Sequence, residues 1–228
     1  MSKSKQCVSR RQSAKRISFG VPRKSRQTGR AESRSAFMPN EDWHEPVEGD
    51  RDGYRIIEKD PGEGLFHPVS AREIIHRLEQ LPAWILEDLD VIQLSDVTKK
   101  KKRFPCYGLQ WGTAVYLYPV EWDLVEVYAS PPHPKLVNET QMYGGVWEHD
   151  ASQKVWFLHW SEKTIRDFYL NNVLIHELGH LVDQRNTSYD DRERFADWFA
   201  IEYGYLPSRS QKSIRKRKSN TQKRHHLK

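Results

Sequence analysis

The sequence predicts an α+β domain in which a small, mostly antiparallel sheet lies beside two helices. Two observations support this fold class. Segments rich in aromatic and β-branched residues, which are typical of strands, occupy residues 111–128 and 146–160. Apolar residues at helical spacing then dominate much of 161–203.

The distribution of charge predicts where the domain begins and ends. Residues 1–36 contain eleven Lys and Arg against one acid, and residues 207–228 contain nine against none. Residues 37–206 carry a net charge of −13 together with all eight Trp and all ten Tyr. We therefore expect one domain over 37–206, flanked by a disordered basic N-terminal arm over 1–36 and a disordered basic tail over 207–228.

Composition also excludes several classes of protein. The chain has no run of eighteen apolar residues, so we expect no membrane span. Its N-terminus leads into charged residues and not into an apolar segment, so we expect no signal peptide and a cytoplasmic location. Cys7 and Cys106 are too few for a disulfide framework and fit a reducing compartment.

The first half of the domain contains one well-marked helix. Ser70 and Glu73 have the spacing of a capping box, apolar residues follow at helical spacing, and Pro82 ends the run. Residues 40–68, which are rich in Asp, Glu, Gly and Pro, predict irregular structure.

Three short segments complete the first half. Residues 84–89 predict a short helix or turn, and residues 89–94 predict a strand. The five consecutive basic residues 99–103 predict a loop, which would either bind phosphate or form a solvated hairpin tip.

The second half is predicted to contain four strands that pair with their neighbours: 111–118 with 121–128, and 146–149 with 154–160. Pro119 separates the first pair, and a four-residue turn signal separates the second, as in a hairpin. The Pro-Pro-His-Pro segment 131–134 predicts a loop.

Two helices end the domain. The first begins near Ser161 and carries apolar residues and two histidines along one broad face. The second covers roughly 190–203 and is predicted to end at Gly204 as a C-terminal cap, with Pro207 just beyond.

The first of these helices contains a His-Glu-x-x-His motif formed by His176, Glu177 and His180. Two histidines four residues apart on a helix project from one face, so both imidazoles can reach one metal ion. Zinc accepts neutral imidazole and lowers the pKa of a water to about 7. Glu177 would lie beside that water and could take its proton.

The motif also has an ordinary explanation, since two surface histidines paired with solvent would leave the same pattern. The flanking residues argue against it, because they are apolar on nearly all sides of the helix: Leu174, Ile175, Leu178, Leu181 and Val182. Two imidazoles and a carboxylate on a buried helix need partners, which a metal ion would supply.

A third ligand is expected from the last helix. Glu193 follows His180 by thirteen residues, and Asp197 shares its helix face and could accept the outer N–H of a ligand histidine. Gly179 would let the two helices approach closely. The alternatives are an exposed acidic stripe on this helix, or Asp183 as the third ligand. Three ligands along one straight helix would, however, span too far for one ion.

This pattern, HELGH followed by Glu193-x-x-Ala196-Asp197, resembles the gluzincin metallopeptidases over residues 161–204. The resemblance implies a zincin-like fold, in which the motif helix is followed by the helix of the glutamate ligand. It implies one zinc ion with three protein ligands: His176, His180 and Glu193. It further implies Glu177 as the general base and Asp197 as the brace of His176. The Ala-Asp-x-Phe-Ala ending is similar to small ImmA/IrrE-type intracellular peptidases, in which Asn usually replaces the Asp.

The resemblance also implies an edge strand before the motif helix, to which an extended substrate adds as another strand. Residues 154–160 stand in the right place in the sequence, although they would equally suit an internal strand of a small sheet. The residue that stabilises the oxyanion stays open among four candidates: His159, Tyr189, Tyr203 and Tyr205.

We therefore expect a zinc-dependent metallopeptidase that hydrolyses peptide bonds in a protein or peptide. The alternative is a zincin-like metal-binding module, regulatory or associated with nucleic acid, without peptidase activity. The basic tails would bind nucleic acid without regard to sequence, fold back on the acidic domain, or serve solubility or localisation.

Overall fold

The structure, a computed structural model, describes three stretches of the chain: residues 42–46, 53–97 and 106–210. The predicted basic arm 1–36 and the basic loop 99–103 lie outside the described residues, as does most of the tail 207–228. Within the described stretches the chain combines helices with small sheets, in agreement with the α+β class. None of the helices described is both long and apolar enough to span a bilayer.

The described residues form nine strands: β1 (Arg55–Glu58), β2 (Leu65–Phe66), β3 (Val91–Leu94), β4 (Gly108–Trp111), β5 (Ala114–Leu117), β6 (Val120–Glu121), β7 (Val125–Tyr128), β8 (Val146–Asp150) and β9 (Val155–His159). They build a four-stranded sheet in the order β1-β3-β5-β4, a three-stranded sheet in the order β7-β9-β8, and the pair β2-β6.

The described residues also form five α-helices: α1 (Ala71–Leu78), α2 (Pro134–Met142), α3 (Glu162–Phe168), α4 (Leu174–Val182) and α5 (Tyr189–Phe199). A 3-10 turn covers Ala83–Leu86, and two π-helical segments cover Tyr169–Val173 and Ala200–Tyr205. The capping box at the start of α1 is confirmed, because Ser70 and Glu73 bond each other's backbone N–H groups.

The four-stranded sheet differs from the mostly antiparallel sheet that we predicted. In it β1, β3 and β5 are parallel, and only the edge strand β4 runs antiparallel to β5. The prediction failed because β1 lies within the segment 40–68, whose composition predicts irregular structure. That strand has only four residues, and α1 in the connection to β3 makes parallel pairing possible.

Strand pairing in the second half is correct for one hairpin and wrong for the other. The β8–β9 hairpin is confirmed, but β5 and β7 belong to different sheets. After Pro119 the chain leaves the main sheet to pair β6 with β2, and a left-handed turn at Leu124 then redirects it into β7. Strand β9 lies in the middle of its sheet, so it is not the edge strand beside the motif helix. That position belongs to β4, which packs against α4.

The last helix does not end at Gly204 as predicted. It continues from α5 through the second π-helical segment, and residues 206–210 are still helical. Gly204 is buried, and a side chain there would clash with the backbone oxygen of Asn171 in the first π-helical segment. The glycine therefore permits the contact between the two π-helical segments. Arg209, beyond the predicted domain boundary at 206, pairs with Asp167 on α3.

Candidate metal centre

The HELGH helix and the helix that follows it pack closely. Helix α4 is buried along most of its length, as its apolar flanks predicted. A Cβ on Gly179 would lie 3.0 Å from the Cα of Ala196 and from the Cβ of Phe199, both on α5. The glycine thus lets α5 approach α4 closely enough for side chains of both helices to meet.

Three side chains from these helices converge. The Nε2 atoms of His176 and His180 are 3.1 Å apart. Oε1 of Glu193 is 3.3 Å from Nε2 of His180, and Oε2 of Glu193 is 3.7 Å from Nε2 of His176. The structure therefore brings together the three ligands named from the sequence as a group that could hold a metal ion.

The separations fit a single ion. Two donors bound at about 2.1 Å to one tetrahedral ion lie about 3.4 Å apart, close to the observed values. Oε2 of Glu193 is enclosed and has no hydrogen-bond partner among the described residues. A buried carboxylate oxygen without a partner is costly. A cation bound between the three groups would remove that cost.

The protonation states of His176 and Glu193 favour cation binding. Burial and the neighbouring His180 lower the pKa of His176 to about 3, so this imidazole is neutral. Burial alone would raise the pKa of Glu193, but the hydrogen bond and the positive charge of His180 hold it below its usual value. Burial lowers the pKa of His180, but the carboxylate of Glu193 outweighs it and the pKa is raised. A neutral imidazole and an ionised carboxylate are the forms that bind metals.

Glu177 lies beside the three ligands and contacts the edge strand β4. A Cβ on Gly108 would lie 2.8 Å from its Cγ, and the backbone of Gln110 lies near its carboxylate. Gly108 therefore provides the space that the Glu177 side chain occupies. Burial raises the pKa of Glu177 to about 7.

Asp197 lies behind His176, as the sequence suggested. Its Oδ1 is 3.5 Å from Nδ1 of His176, a nitrogen that has no well-formed hydrogen bond among the described residues. Its Oδ2 pairs with the Nζ of Lys135 on α2. Burial raises the pKa of Asp197, and the charge of Lys135 opposes this shift.

Sequence reasoning missed the residues that support the site from other elements. Lys135 was missed because its helix α2 was not predicted beyond the loop 131–134. On the same helix, Glu139 accepts a 2.5 Å hydrogen bond from Asn172, one turn before His176. Arg192 donates to the backbone oxygen of His180 at 3.1 Å and so ties α5 to α4. No local pattern links these partners, since the bonds between Lys135 and Asp197 and between Glu139 and Asn172 join distant parts of the chain.

The structure distinguishes the competing candidates for the third ligand and for the oxyanion donor. Asp183 caps the end of α4 by accepting the N–H groups of Arg185 and Asn186, and it is not part of the converging group. Of the four candidates for the oxyanion donor, Tyr189 is the one that lies near a ligand, since burial and the charge of Glu193 raise its pKa.

The other three candidates have partners of their own among the described residues. Tyr203 packs edge-on against Trp84, and the ring of Tyr205 lies under the guanidinium of Arg209. His159 pairs with Glu148 on the hairpin β8–β9. These contacts belong to aromatic packing and to a side-chain contact between β8 and β9.

Comparison of the chain with known proteins gives no relative. No protein-family model, no curated protein and no solved structure matches it. The functional assignment therefore depends on the chemistry and geometry of the site itself.

Proposed function

We propose that this chain is a zinc-dependent metallopeptidase of zincin-like fold that hydrolyses peptide bonds in a protein or peptide substrate. The observation that carries the proposal is the spacing of the three donor atoms, 3.1 to 3.7 Å, which suits one tetrahedral ion. Two imidazoles and one carboxylate are a donor set that catalytic zinc sites use, with the fourth position left open.

The edge strand β4 supports a peptide as the substrate. It is the antiparallel edge of the four-stranded sheet, and no described strand pairs with its outer side. It also packs directly on Glu177 through Gly108. A peptide that added to this edge as a further strand would bring its backbone to the metal site.

The residues of the chain then have separate tasks in hydrolysis. Zinc, when bound by His176, His180 and Glu193, supplies a Lewis acid and acidifies water. The carboxylate of Glu177 takes a proton from the attacking water and delivers it to the leaving amine nitrogen. The backbone of Gln110 lies beside that carboxylate, and the hydroxyl of Tyr189, near Glu193, is our candidate donor for the developing oxyanion.

The first expected result is one zinc ion per purified chain. Zinc should raise the melting temperature of chelator-treated protein, because the folded site binds zinc far better than the unfolded chain does. At a free zinc concentration of 100 Kd the gain is about 2.7 kcal/mol, or about 5–10 °C for a domain of this size. Elemental analysis and thermal denaturation measure both quantities.

His176→Ala serves as the control, and it should neither retain zinc nor gain stability from it. Zinc-loaded protein should also cleave an unfolded protein, which mass spectrometry would detect as new termini. Failure of wild-type protein to bind zinc would contradict the whole proposal, whereas zinc binding without cleavage would leave a metal-binding regulatory module.

Lys135 should act on the metal through Asp197. We expect Lys135→Met to lower zinc affinity by about tenfold, because the carboxylate of Asp197 loses the cation that holds it toward His176, and such outer partners contribute 10- to 100-fold. Competition with a chromophoric chelator measures the affinity. Gln141→Met, on an exposed position of the same helix α2, is the matched control and should change nothing.

A double mutant separates this role from a general loss of stability. If Lys135 acts through Asp197, Lys135→Met should have little further effect in an Asp197→Asn background. Full additivity of the two substitutions would show that Lys135 does not act through Asp197.

A further inference from the structure

Arg77 is a buried cation outside the metal centre. It lies on α1 and is only 7 % exposed. Its Nε donates to Oδ1 of Asn171 at 2.8 Å, and its Nη2 donates to the backbone oxygen of Tyr203. Both acceptors are neutral, so neither balances the charge of the guanidinium.

The acids near Arg77 are already engaged. Glu73, one turn earlier on α1, directs its two oxygens to Ser70 and to Arg166. Asp167, which is linked to Arg77 through Asn171, pairs with Arg209. Arg77 therefore has no ion pair among the described residues.

An uncompensated buried guanidinium is costly. Arginine stays protonated inside proteins, so it cannot escape the cost of burial by losing its proton. Burial lowers the pKa of Arg77, and the nearby Tyr143 opposes this shift. Buried charges in proteins are normally paired, which points to a missing anion.

Arg77 lines a cavity of about 420 Å³ that can admit such an anion. Polar groups of His76, Gln80 and Ser208 share this cavity with the apolar side chains of Leu81 and Leu170. The volume suits a small organic molecule with a short apolar body. We call this space the Arg77 cavity.

The Arg77 cavity lies where the two π-helical segments meet. Asn171 belongs to the first segment and Tyr203 to the second, and Gly204 packs against the backbone of Asn171. Single π-helical turns occur frequently at functional sites. The first segment leads directly into α4 and the second follows α5, so the cavity is lined by the segments that adjoin the two helices carrying the metal ligands.

We propose that the Arg77 cavity binds a small organic carboxylate, whose anionic group pairs with the guanidinium of Arg77 and whose apolar body contacts Leu81 and Leu170. The Nη1 group of Arg77 makes no hydrogen bond with the described residues and is the donor available for the ligand. Glu73 also lines the cavity, and its negative charge favours a singly charged carboxylate over a doubly charged phosphate. The site is separate from the metal centre and does not depend on the peptidase assignment.

Titration of the full-length protein with hexanoate, acetate and inorganic phosphate tests the proposal. NMR spectra of ¹⁵N-arginine-labelled protein would report the Nε–H signal of Arg77 directly. We expect saturable binding of hexanoate, weaker binding of acetate because it lacks the apolar body, and the weakest binding of phosphate. Arg77→Met should reduce hexanoate affinity at least about tenfold, as expected when a charged hydrogen bond is lost.

Arg77→Met also removes the bond to Tyr203 and could unfold the protein, so a second pair of variants is needed. Gln80 lies at the exposed rim of the cavity. Gln80→Glu should weaken and Gln80→Lys should strengthen hexanoate binding by about threefold, the effect of one charge within about 6 Å in water. Gln153→Glu, on the turn between β8 and β9, is the control.

Saturable hexanoate binding that responds to Gln80 in these two directions supports the carboxylate site. If phosphate binds more tightly than hexanoate, the ligand class is wrong. If no anion binds saturably, or if the two Gln80 variants bind like the wild type, Arg77 is a structural tie between α1 and the π-helical segments.

Discussion

Glu177→Gln is expected to abolish most peptide hydrolysis while leaving zinc bound. Removal of a general base costs about 10²- to 10⁴-fold in rate, because an amide cannot take the proton of the attacking water. Zinc should stay, since Glu177 is outside the converging group of His176, His180 and Glu193. Glutamine has nearly the same shape as glutamate, so it fits the space beside Gly108 that the Glu177 side chain occupies.

The measurement combines peptide turnover with zinc stoichiometry on the same preparation. Glu162→Gln, at the exposed start of α3, is the matched control and should keep full activity. Loss of zinc from Glu177→Gln would make Glu177 a ligand, and unchanged turnover would remove it from the mechanism.

The parts of this structure that the sequence could predict are those that depend on neighbours along the chain. The capping box at Ser70, the β8–β9 hairpin and the shared helix face of His176 and His180 are set by fixed local spacing. Glu193 could also be named from the sequence. To supply a third ligand, the helix packed beside the motif helix needs only an acid at the contact. The close approach at Gly179 is the structural counterpart of that expectation.

The parts that the sequence could not predict depend on contacts between distant segments. Nothing near Lys135 indicates that it meets Asp197, 62 residues later. Strand β4 was not recognised as the edge beside Glu177, because which strand lies at an edge follows from the order of the whole sheet.

Gly204 shows that a glycine in the sequence can have two different structural explanations. A glycine followed by proline is typical of a helix end, so the sequence predicted a cap. In the structure the same glycine allows the second π-helical segment to contact the first at Asn171. Both uses need a residue without a side chain, and only the tertiary contact distinguishes them.

Loss of the third ligand is the change with the largest expected effect on metal binding. Glu193→Ala removes the carboxylate that faces both histidines, at 3.3 Å from His180 and 3.7 Å from His176. We expect zinc affinity to fall more than about 100-fold, because loss of an outer partner alone costs 10- to 100-fold and a direct ligand contributes more. Asp197→Asn, which alters only such a partner, should stay within that smaller range.

Asp183→Ala is the control that makes this test decisive. Asp183 is also an acid near the end of the motif helix, but its side chain accepts hydrogen bonds from the backbone N–H groups of Arg185 and Asn186. Zinc affinity should therefore be unchanged in this variant, whatever it costs in helix stability. If Asp183→Ala released zinc while Glu193→Ala retained it, the ligand set would be wrong. The resemblance to gluzincins would then fail as a guide to this site, because it implies a glutamate ligand on the helix after the motif.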